Sequence, residues 1–181
     1  RQVTTPPELT IVVPAFNEEA NVEPMYERLV DALEGVVEGF EVVYVDDGSK
    51  DGTWARVAAL ADRDPRVRGV RFARNFGHQS AVTAGIDVAR GRAVVIIDAD
   101  LQDPPEVIPE MVSRWREGYD VVYGQRDERE GETWFKKATA AAFYRLLRAI
   151  TNVDIPLDTG DFRLMDRKVV DVLKSMRERH R

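Results

Sequence analysis

Apolar residues along the chain follow two periods, one typical of buried strands and one typical of amphipathic helices. Short apolar runs predict five strands, over residues 9–13, 40–45, 67–73, 92–97 and 119–123. Between these runs, apolar residues recur every three or four positions and predict helices around residues 22–36, 53–62, 80–89 and 104–117, with a last helix near 168. Strands that alternate with helices predict an α/β fold, in which helices cover both faces of a mainly parallel sheet.

Polar residues before three of these helices predict how the helices begin. Asn17 is placed to cap the first helix, and Asp46 and Ser49 are available to cap the second. The sequence D-P-P-E at 103–106 predicts a capping box for the fourth helix. In that box Asp103 is the cap and Glu106 occupies the third helical position.

Polar clusters also stand where four of the predicted strands end. These clusters are P-A-F-N-E at 14–18, D-D-G-S at 46–49, R-N-F-G at 74–77 and D-A-D at 98–100. Open α/β sheets bind their ligands beyond the carboxyl ends of the strands. We therefore expect the active site in a crevice at this edge of the sheet.

Asp98 and Asp100 follow the fourth strand directly, and they are the strongest candidates for chemistry. Side chains two apart on an extended segment point the same way, so the two carboxylates are expected to converge, with Gln102 adding a neutral oxygen. Oxygen ligands of this kind suit a hard divalent cation aimed at phosphate. In the alternative interpretation, Asp98 and Asp100 only solvate the end of the strand.

The other clusters each allow a functional and a structural interpretation. Asp47 can accept hydrogen bonds from a base or a ribose, or it can cap the following helix. Pro14 and Phe16 can form an apolar wall for a nucleobase, or they can be a structural turn. The glycine-rich phosphate motifs G-x-x-x-x-G-K-[ST] and G-x-G-x-x-G do not occur, so nucleotide binding would rely on a metal and carboxylates.

Composition narrows the class of protein. The chain has 181 residues, 44% of them hydrophobic and 32% charged, and it has no cysteine, which excludes disulfides and thiolate metal sites. Its apolar runs are far shorter than the roughly 18 to 20 residues that span a bilayer. The net charge of -6 argues against a nucleic-acid-binding protein. The charge is uneven, because residues 1–125 carry 13 basic and 22 acidic side chains and residues 126–181 carry 13 and 10.

Four longer motifs resemble those of family 2 glycosyltransferases of the GT-A fold, and within them the polyprenyl-phosphate glycosyltransferases. This group contains dolichol-phosphate mannose synthase and the bacterial enzymes that load sugars onto undecaprenyl phosphate. The motifs are V-V-P-A-F-N-E-E at 12–19, V-D-D-G-S-x-D-G-T at 45–53, R-N-F-G-H-Q-S-A-V-x-A-G at 74–85 and D-A-D-L-Q-D-P-P at 98–105. The resemblance extends from about residue 9 to residue 167.

On the donor side, the resemblance implies a UDP- or GDP-linked sugar. The residues implied to lie near the nucleotide are Pro14, Phe16, Glu18, Val45, Asp47, Asp98 and Ala99. Those implied to hold Mg²⁺ or Mn²⁺ are Asp98, Asp100 and Gln102, with Asp100 counted among the catalytic residues. Phe16 stands where many relatives have tyrosine, which removes a hydroxyl but keeps a stacking surface.

On the acceptor side, Arg126 follows the fifth strand, and its planar guanidinium suits phosphate oxygens. Its alternative is a surface ion pair with Asp127 or Glu128. By resemblance, Lys137 assists Arg126. Asp161, in a charged turn expected over 158–163, is implied to orient the acceptor or the donor sugar, or else it pairs with Arg163 or Arg167. His78 is interpreted as a local hydrogen-bonding residue without a chemical role.

The sequence thus predicts an inverting, metal-dependent transferase of cell-envelope glycosylation, with undecaprenyl or dolichyl phosphate as acceptor. Its alternatives are a family 2 enzyme acting on a sugar hydroxyl and a non-catalytic nucleotide-sugar-binding module. We expect a flexible leader over 1–8 and one soluble catalytic domain over 9–181, truncated before membrane-associated segments and working at the cytoplasmic face. A basic amphipathic helix expected over 132–150 lies on that membrane or packs on the sheet.

Overall fold

A computed structural model of the chain describes residues 6–125 and 159–175. Its strands are β1 (Leu9–Ala15), β2 (Phe40–Asp46), β3 (Val67–Arg71), β4 (Ala93–Ile96), β5 (Val121–Gln125) and β6 (Thr159–Asp166). Its helices are α1 (Val22–Leu33), α2 (Thr53–Arg63), α3 (His78–Val88), α4 (Ile108–Arg116) and α5 (Arg167–Ser175), and a 3₁₀ turn, Pro105–Val107, precedes α4. Contacts divide the chain into residues 1–123 with 161–181, which carry the features described below, and residues 124–160. The expectation of one domain over 9–181 stays a prediction.

The six strands form one mixed sheet in the order β3-β2-β1-β4-β6-β5. The pairs β1 with β2, β1 with β4 and β2 with β3 are parallel, whereas β4 and β6 run antiparallel. The predicted α/β fold with a mainly parallel sheet is therefore confirmed. Parallel pairing places the carboxyl ends of β1, β2 and β4 together at one edge, as the strand-end clusters require.

Strand β6 stands where the sequence predicted a charged turn over residues 158–163, and that prediction was wrong. The segment is a strand because Phe162 and Leu164 alternate with charged residues and are buried on the same side of the sheet as α1. Met165 points to the opposite core, on the side of α5. Asp161 and Arg163 occupy the polar positions of this alternation, and their charges hid the strand in the sequence.

Helices pack on both faces of the sheet, as predicted. On one face, Leu9 and Ile11 of β1 join a core with Met25, Leu29 and Leu33 of α1. Burying each such side chain contributes about 1.5 to 3 kcal/mol. On the other face, Val12 of β1 packs with Val82 and Ile86 of α3. A Cβ at Gly85 would overlap the side chain of Val12, so this glycine allows α3 to lie close against β1.

The predicted helix caps were wrong in all three places. Helix α1 begins at Val22, and the Asn17 side chain instead accepts a hydrogen bond from Lys50 N at 2.9 Å. At α2, Asp51 accepts the N–H of Thr53 at 3.0 Å, whereas Asp46 accepts the N–H of Ser49 at 2.9 Å inside the turn before it.

The capping box at 103–106 is also absent, since neither the 3₁₀ turn nor α4 has a side-chain cap. Prolines supply no N–H, and those at 105 and 109 lie at the starts of the 3₁₀ turn and of α4. Glu106 instead forms two hydrogen bonds with Arg28, at 2.8 and 2.7 Å.

Candidate active site

A cavity of about 420 Å³ opens at the carboxyl ends of β1, β2 and β4. All four strand-end clusters identified in the sequence contribute to its wall. The lining residues are Pro14, Ala15, Phe16, Glu18, Asp47, Asn75, Gly77, His78, Ala81, Asp98, Ala99 and Asp100. The parallel strands therefore bring together residues that lie up to 86 positions apart in the sequence.

Asp47 fixes the loop between β3 and α3. Its two carboxylate oxygens accept the N–H groups of Phe76 at 2.7 Å and Gly77 at 3.0 Å. The approach is close enough that a Cβ at Gly48, whose φ is +72°, would overlap the backbone of Arg74 and Asn75. Asp47 therefore does not serve as the predicted cap of α2. A carboxylate has about four lone-pair sites, so it keeps capacity to accept from a ligand.

The rim of the cavity beyond β1 is held to the turn that follows β2. Asn17, which has a left-handed φ of +58°, donates its N–H to the hydroxyl of Ser49 at 2.9 Å. Glu18 donates its N–H to the hydroxyl of Thr53 at 2.8 Å. These bonds hold Phe16 at the mouth with 42% of its surface exposed, where its ring can act as an apolar wall.

Val45 is the one nucleotide-site candidate that lies behind the cavity rather than in its wall. It is fully buried, in a cluster with Val43 and Ala81. Ala81 belongs to α3 and does line the cavity. Val45 therefore supports the wall from the core.

Asp98 and Asp100 both line the cavity, but they do not lie on an extended segment. Strand β4 ends at Ile96, and the following turn includes Leu101 at a left-handed φ of +63°. Asp100 accepts the N–H of Gln102 at 3.0 Å, which is a hydrogen bond that tightens such a turn. The argument from the two-residue period of a strand was therefore wrong, and the convergence of these carboxylates on one cation stays a prediction. Gln102 is exposed and stands outside the cavity lining.

Asp161 lies beside Asp98 and is held by His78. The His78 Nε2 atom is 2.7 Å from Asp161 Oδ2 and 3.7 Å from Asp98 Oδ1. Of the proposed alternative partners of Asp161, Arg167 instead forms an ion pair with Asp171 at 3.8 Å. The interpretation of His78 as a local residue was wrong, because its partner is 83 positions away. Its place directly after the strand-end cluster at 74–77 was the signal.

Comparison with known proteins decides which family this fold and cavity represent. The sequence model of glycosyl transferase family 2 matches residues 10–173. The chain belongs to this family. It is 54% identical over 171 residues to "Uncharacterized glycosyltransferase YkcC" of Bacillus subtilis (strain 168), covering 94% of this chain and 53% of the relative. It is 43% identical over 172 residues to "Prophage bactoprenol glucosyl transferase homolog" of Escherichia coli (strain K12), covering 95% and 56%.

Solved structures support the GT-A fold of this family 2 chain. A mannosyltransferase from Pyrobaculum calidifontis, in complex with GDP-Man and Mn²⁺, superposes with a TM-score of 0.66 at 22% identity. The match covers 94% of this chain and 47% of the mannosyltransferase. The chain spans about half the length of the curated relatives it matches. In its described part, every helix is too short or too polar to cross a lipid bilayer.

The electrostatics of the cavity fit the divalent cation that the family 2 resemblance implies. Burial raises the pKa of Asp98, the charges of Asp100, Asp161 and Asp103 raise it further, and His78 opposes them. Asp98 Oδ1 is buried without a hydrogen-bond partner among the described residues. Such an oxygen, in a cluster of like charges, is one that a cation would stabilise.

The protein alone does not form a complete cage for an ion. Among residues 6–125 and 159–175, no three acidic, histidine or cysteine side chains are placed together to hold a metal. Mg²⁺ commonly takes one or two carboxylates and completes its shell with waters and substrate phosphates. Asp98 and Asp100 suit that mode of binding, in which the nucleotide supplies the remaining oxygens.

Three predictions for this family 2 chain fall outside the described residues, and a fourth falls mostly outside them. The three are the phosphate-binding role of Arg126, the assisting role of Lys137 and the basic amphipathic helix over 132–150. The fourth is the flexible leader over 1–8, of which residues 1–5 are not described, whereas Glu8 is buried and bonded to Arg116. The first three stay predictions, and the leader stays one for residues 1–5.

Proposed function

We propose that this chain is the catalytic part of an inverting, metal-dependent glycosyltransferase that moves a sugar from a nucleoside diphosphate to a polyprenyl phosphate. The observation that carries the proposal is the group of carboxylates at the carboxyl edge of the sheet. Asp98 and Asp100 line the cavity there, and Asp98 keeps a buried oxygen without a partner among the described residues. Asp161 is held beside them by His78.

The donor nucleotide would lie between the ends of β1, β2 and β4. Phe16 offers an exposed ring for stacking the base, and Asp47 offers acceptor sites for its N–H groups or for the ribose hydroxyls. Asp98 and Asp100 would hold Mg²⁺ or Mn²⁺ against the diphosphate, where the ion neutralises charge on the leaving group. The Pyrobaculum mannosyltransferase, whose structure was solved in complex with GDP-Man and Mn²⁺, supports a nucleotide sugar and a divalent cation as ligands of this fold.

The proposed roles of the acceptor-side residues follow from the chemistry of a phosphate nucleophile. A phosphate monoester has a second pKa of about 6, so it is already anionic at neutral pH and needs no strong base. One of its oxygens bonds to the anomeric carbon while the bond from that carbon to the diphosphate oxygen breaks. The electron pair leaves with the nucleoside diphosphate, and the configuration inverts. Asp161 would orient the reactants, and Arg126 and Lys137 would hold the acceptor phosphate.

The bacterial relatives named bactoprenol glucosyl transferase support a polyprenyl phosphate as the acceptor, with undecaprenyl phosphate as the first one to test. Their name also makes UDP-glucose a sensible first donor. Because the acceptor lipid resides in a membrane, we place the reaction at the cytoplasmic face of that membrane. The basic helix predicted over 132–150 would contact its surface.

One observation favours a second candidate, in which the acceptor is a sugar hydroxyl. A hydroxyl needs a general base, and Asp161 with its His78 contact resembles a base held in place by a neighbour. The two functions differ in their response to substitution. Asp161→Asn would abolish transfer to a hydroxyl but only slow transfer to a phosphate, whereas Arg126→Ala would impair only transfer to a phosphate.

Ligand binding tests the donor side directly. Thermal unfolding would be followed with UDP- and GDP-sugars, each with and without Mn²⁺. A ligand present at 100 times its Kd stabilises the folded state by about 2.7 kcal/mol, so a true donor raises Tm by several degrees, and only when metal is present. Transfer to undecaprenyl phosphate would then be measured with that donor. The absence of a metal-dependent shift with every nucleotide sugar would contradict the proposal.

A further inference from the structure

The backbone at His78 is held in place on both sides, independently of the contacts that its ring makes. The residues immediately before it, Phe76 and Gly77, donate their N–H groups to Asp47. The helix that it starts lies tightly against β1, because Gly85 leaves room for Val12. The ring therefore projects from a rigid point at the cavity wall, which also makes it suitable for holding another side chain in place.

The sheet brings two negative side chains close together at this point. Strands β4 and β6 pair antiparallel, with Ile96 opposite Arg163. Asp98 follows the end of β4 and Asp161 belongs to β6, and both carboxylates lie within 4 Å of His78 Nε2. Like charges at neighbouring positions repel each other, so this pair needs a compensating group.

The imidazole forms a hydrogen bond with one member of the pair and not with the other. His78 Nε2 lies at hydrogen-bonding distance from Asp161 Oδ2, at 2.7 Å, whereas Asp98 Oδ1 at 3.7 Å is too far away. An ionised carboxylate only accepts hydrogen bonds, so Nε2 carries the proton that it donates to Asp161. Asp98 Oδ1 is left without a hydrogen-bond partner among the described residues.

We infer that His78 is a positioning residue that assigns the two neighbouring carboxylates to different tasks. It holds Asp161 toward the reacting sugar and the acceptor, and it leaves Asp98 free for the donor diphosphate and its cation. The inference rests on the proposed function, because it names a residue that serves the same cavity. It requires the hydrogen-bond donor at Nε2, whereas a purely structural role requires only the bulk of the ring.

Two substitutions separate these roles. His78→Phe keeps an aromatic ring but removes the donor, and His78→Gln places an amide N–H close to the position of Nε2. Ser80→Ala is the matched control, since Ser80 lies in the same helical turn and is exposed, and its hydroxyl donates to the backbone carbonyl of Phe76 at 3.1 Å.

Sugar transfer provides the first readout. We expect His78→Phe to lower kcat by about 10- to 100-fold, as misplacement of a supporting group does, and to change KM for the donor by less than about 3-fold. His78→Gln should recover most of the lost kcat, and Ser80→Ala should match the unsubstituted chain. Equal kcat values for His78→Phe and the unsubstituted chain, or equal losses in the Phe and Gln variants, would overturn the inference.

Crystal structures of the metal-free variants provide a readout that does not depend on activity. The Asp161 carboxylate should keep its place in His78→Gln and move away from residue 78 in His78→Phe. An unchanged Asp161 in His78→Phe would overturn the inference even if the chain transfers sugar. Conversely, a chain that transfers no sugar to polyprenyl phosphate would refute the proposed function, while the position of Asp161 would still decide the role of His78.

Discussion

Glu8 and Glu41 at the amino edge of the sheet and Asp98 at its carboxyl edge have opposite electrostatic surroundings. At the amino edge, Glu8 and Glu41 are only 4% and 2% exposed, and arginines surround them. Glu8 receives hydrogen bonds from Arg116 at 2.8 to 3.0 Å, and Glu41 receives them from Arg90 and Arg68. At the carboxyl edge, Asp98 has other carboxylates as neighbours and an oxygen without a partner among the described residues.

The pKa shifts express the same contrast. Burial alone would raise the pKa of Glu41, but hydrogen bonds from Arg90 and Thr10 and the charge of Arg90 outweigh burial and lower it. For Asp98, burial and the neighbouring aspartates act in the same direction and raise the pKa. A buried carboxylate whose charge is compensated by arginines stabilises the fold, whereas a half-buried carboxylate among like charges marks a place for a ligand.

Cavity size alone would have pointed to the wrong edge. The cavity at the amino edge measures about 970 Å³, against about 420 Å³ at the carboxyl edge. It is lined by Glu8, Glu41, Arg90 and Arg92, whose charges already satisfy one another. The smaller cavity holds the cluster of like charges, and this is why we place the chemistry there.

The largest expected effect follows from removing a charge at the carboxyl edge. Asp100→Asn should lower sugar transfer by about 10³-fold, because it weakens the electrostatic stabilisation of the leaving diphosphate. It should also abolish the Mn²⁺-dependent part of the thermal shift with donor and leave the fold intact. A variant with unchanged metal dependence would show that Asp100 is not a ligand. Steady-state kinetics and thermal unfolding measure the two effects.

Substitutions at the amino edge should change the stability of the protein and not its activity. Glu41→Ala removes the acceptor of the Thr10 hydroxyl at 2.8 Å and leaves the Arg90 N–H, now bonded to Glu41 at 2.9 Å, with only its longer bond to the Thr10 hydroxyl at 3.2 Å. We expect a loss of about 2 to 4 kcal/mol in the free energy of unfolding, measured with urea. The exposed Glu38, paired with Arg92 at 2.9 Å, is the matched control, and Glu38→Gln should cost less than about 1 kcal/mol. Equal effects of the two variants would contradict the assigned role of Glu41.

Asp98→Asn should change stability in the direction opposite to Glu41→Ala. Neutralising Asp98 removes its repulsion with Asp100 and Asp161, so the metal-free protein should gain about 1 kcal/mol and unfold at a higher temperature. Transfer should be lost at the same time. A destabilised Asp98→Asn variant would show that this carboxylate is compensated in the folded protein and would remove the contrast between the edges. Metal-free thermal unfolding measures the change.

A smaller effect is expected on the pH dependence of the free energy of unfolding. Because the folded-state pKa of Glu41 is lowered, its contribution to stability is present above its unfolded pKa, about 4.3, and is lost as pH falls through the folded value. Urea unfolding between about pH 5 and pH 3 should therefore show a steep fall in stability for the unsubstituted chain. Glu41→Gln should flatten that fall. Parallel curves for the two proteins would mean that Glu41 is not stabilised in its ionised form.

Local sequence patterns were sufficient for most of the fold but not for the strand that completes the site. The strands β1, β2 and β4 are continuously buried and mostly apolar, and their ends identified the edge of the sheet where the candidate cavity lies. Strand β6 was missed because Asp161 and Arg163 occupy its polar face. The helix caps failed because side chains such as Asn17 and Glu106 bind distant partners instead of the nearest helix.

The candidate site, too, could be predicted only in part from local sequence. The motif D-A-D could be recognised as acidic and placed at a strand end from local sequence alone. The contact between His78 and Asp161 depends on the antiparallel register of β4 and β6 and on the close packing of α3 against β1. Neither relation can be predicted from the residues near His78, so the contact is evident only in the folded structure.

A crystal of the protein grown with a nucleotide sugar and Mn²⁺ tests the central claim most directly. Anomalous scattering locates manganese without ambiguity of atom type. We predict one ion in contact with both Asp98 and Asp100 and with the diphosphate of the donor, beside a base stacked on Phe16. Manganese bound elsewhere, or a nucleotide in this cavity without an ion at these two carboxylates, would contradict the account.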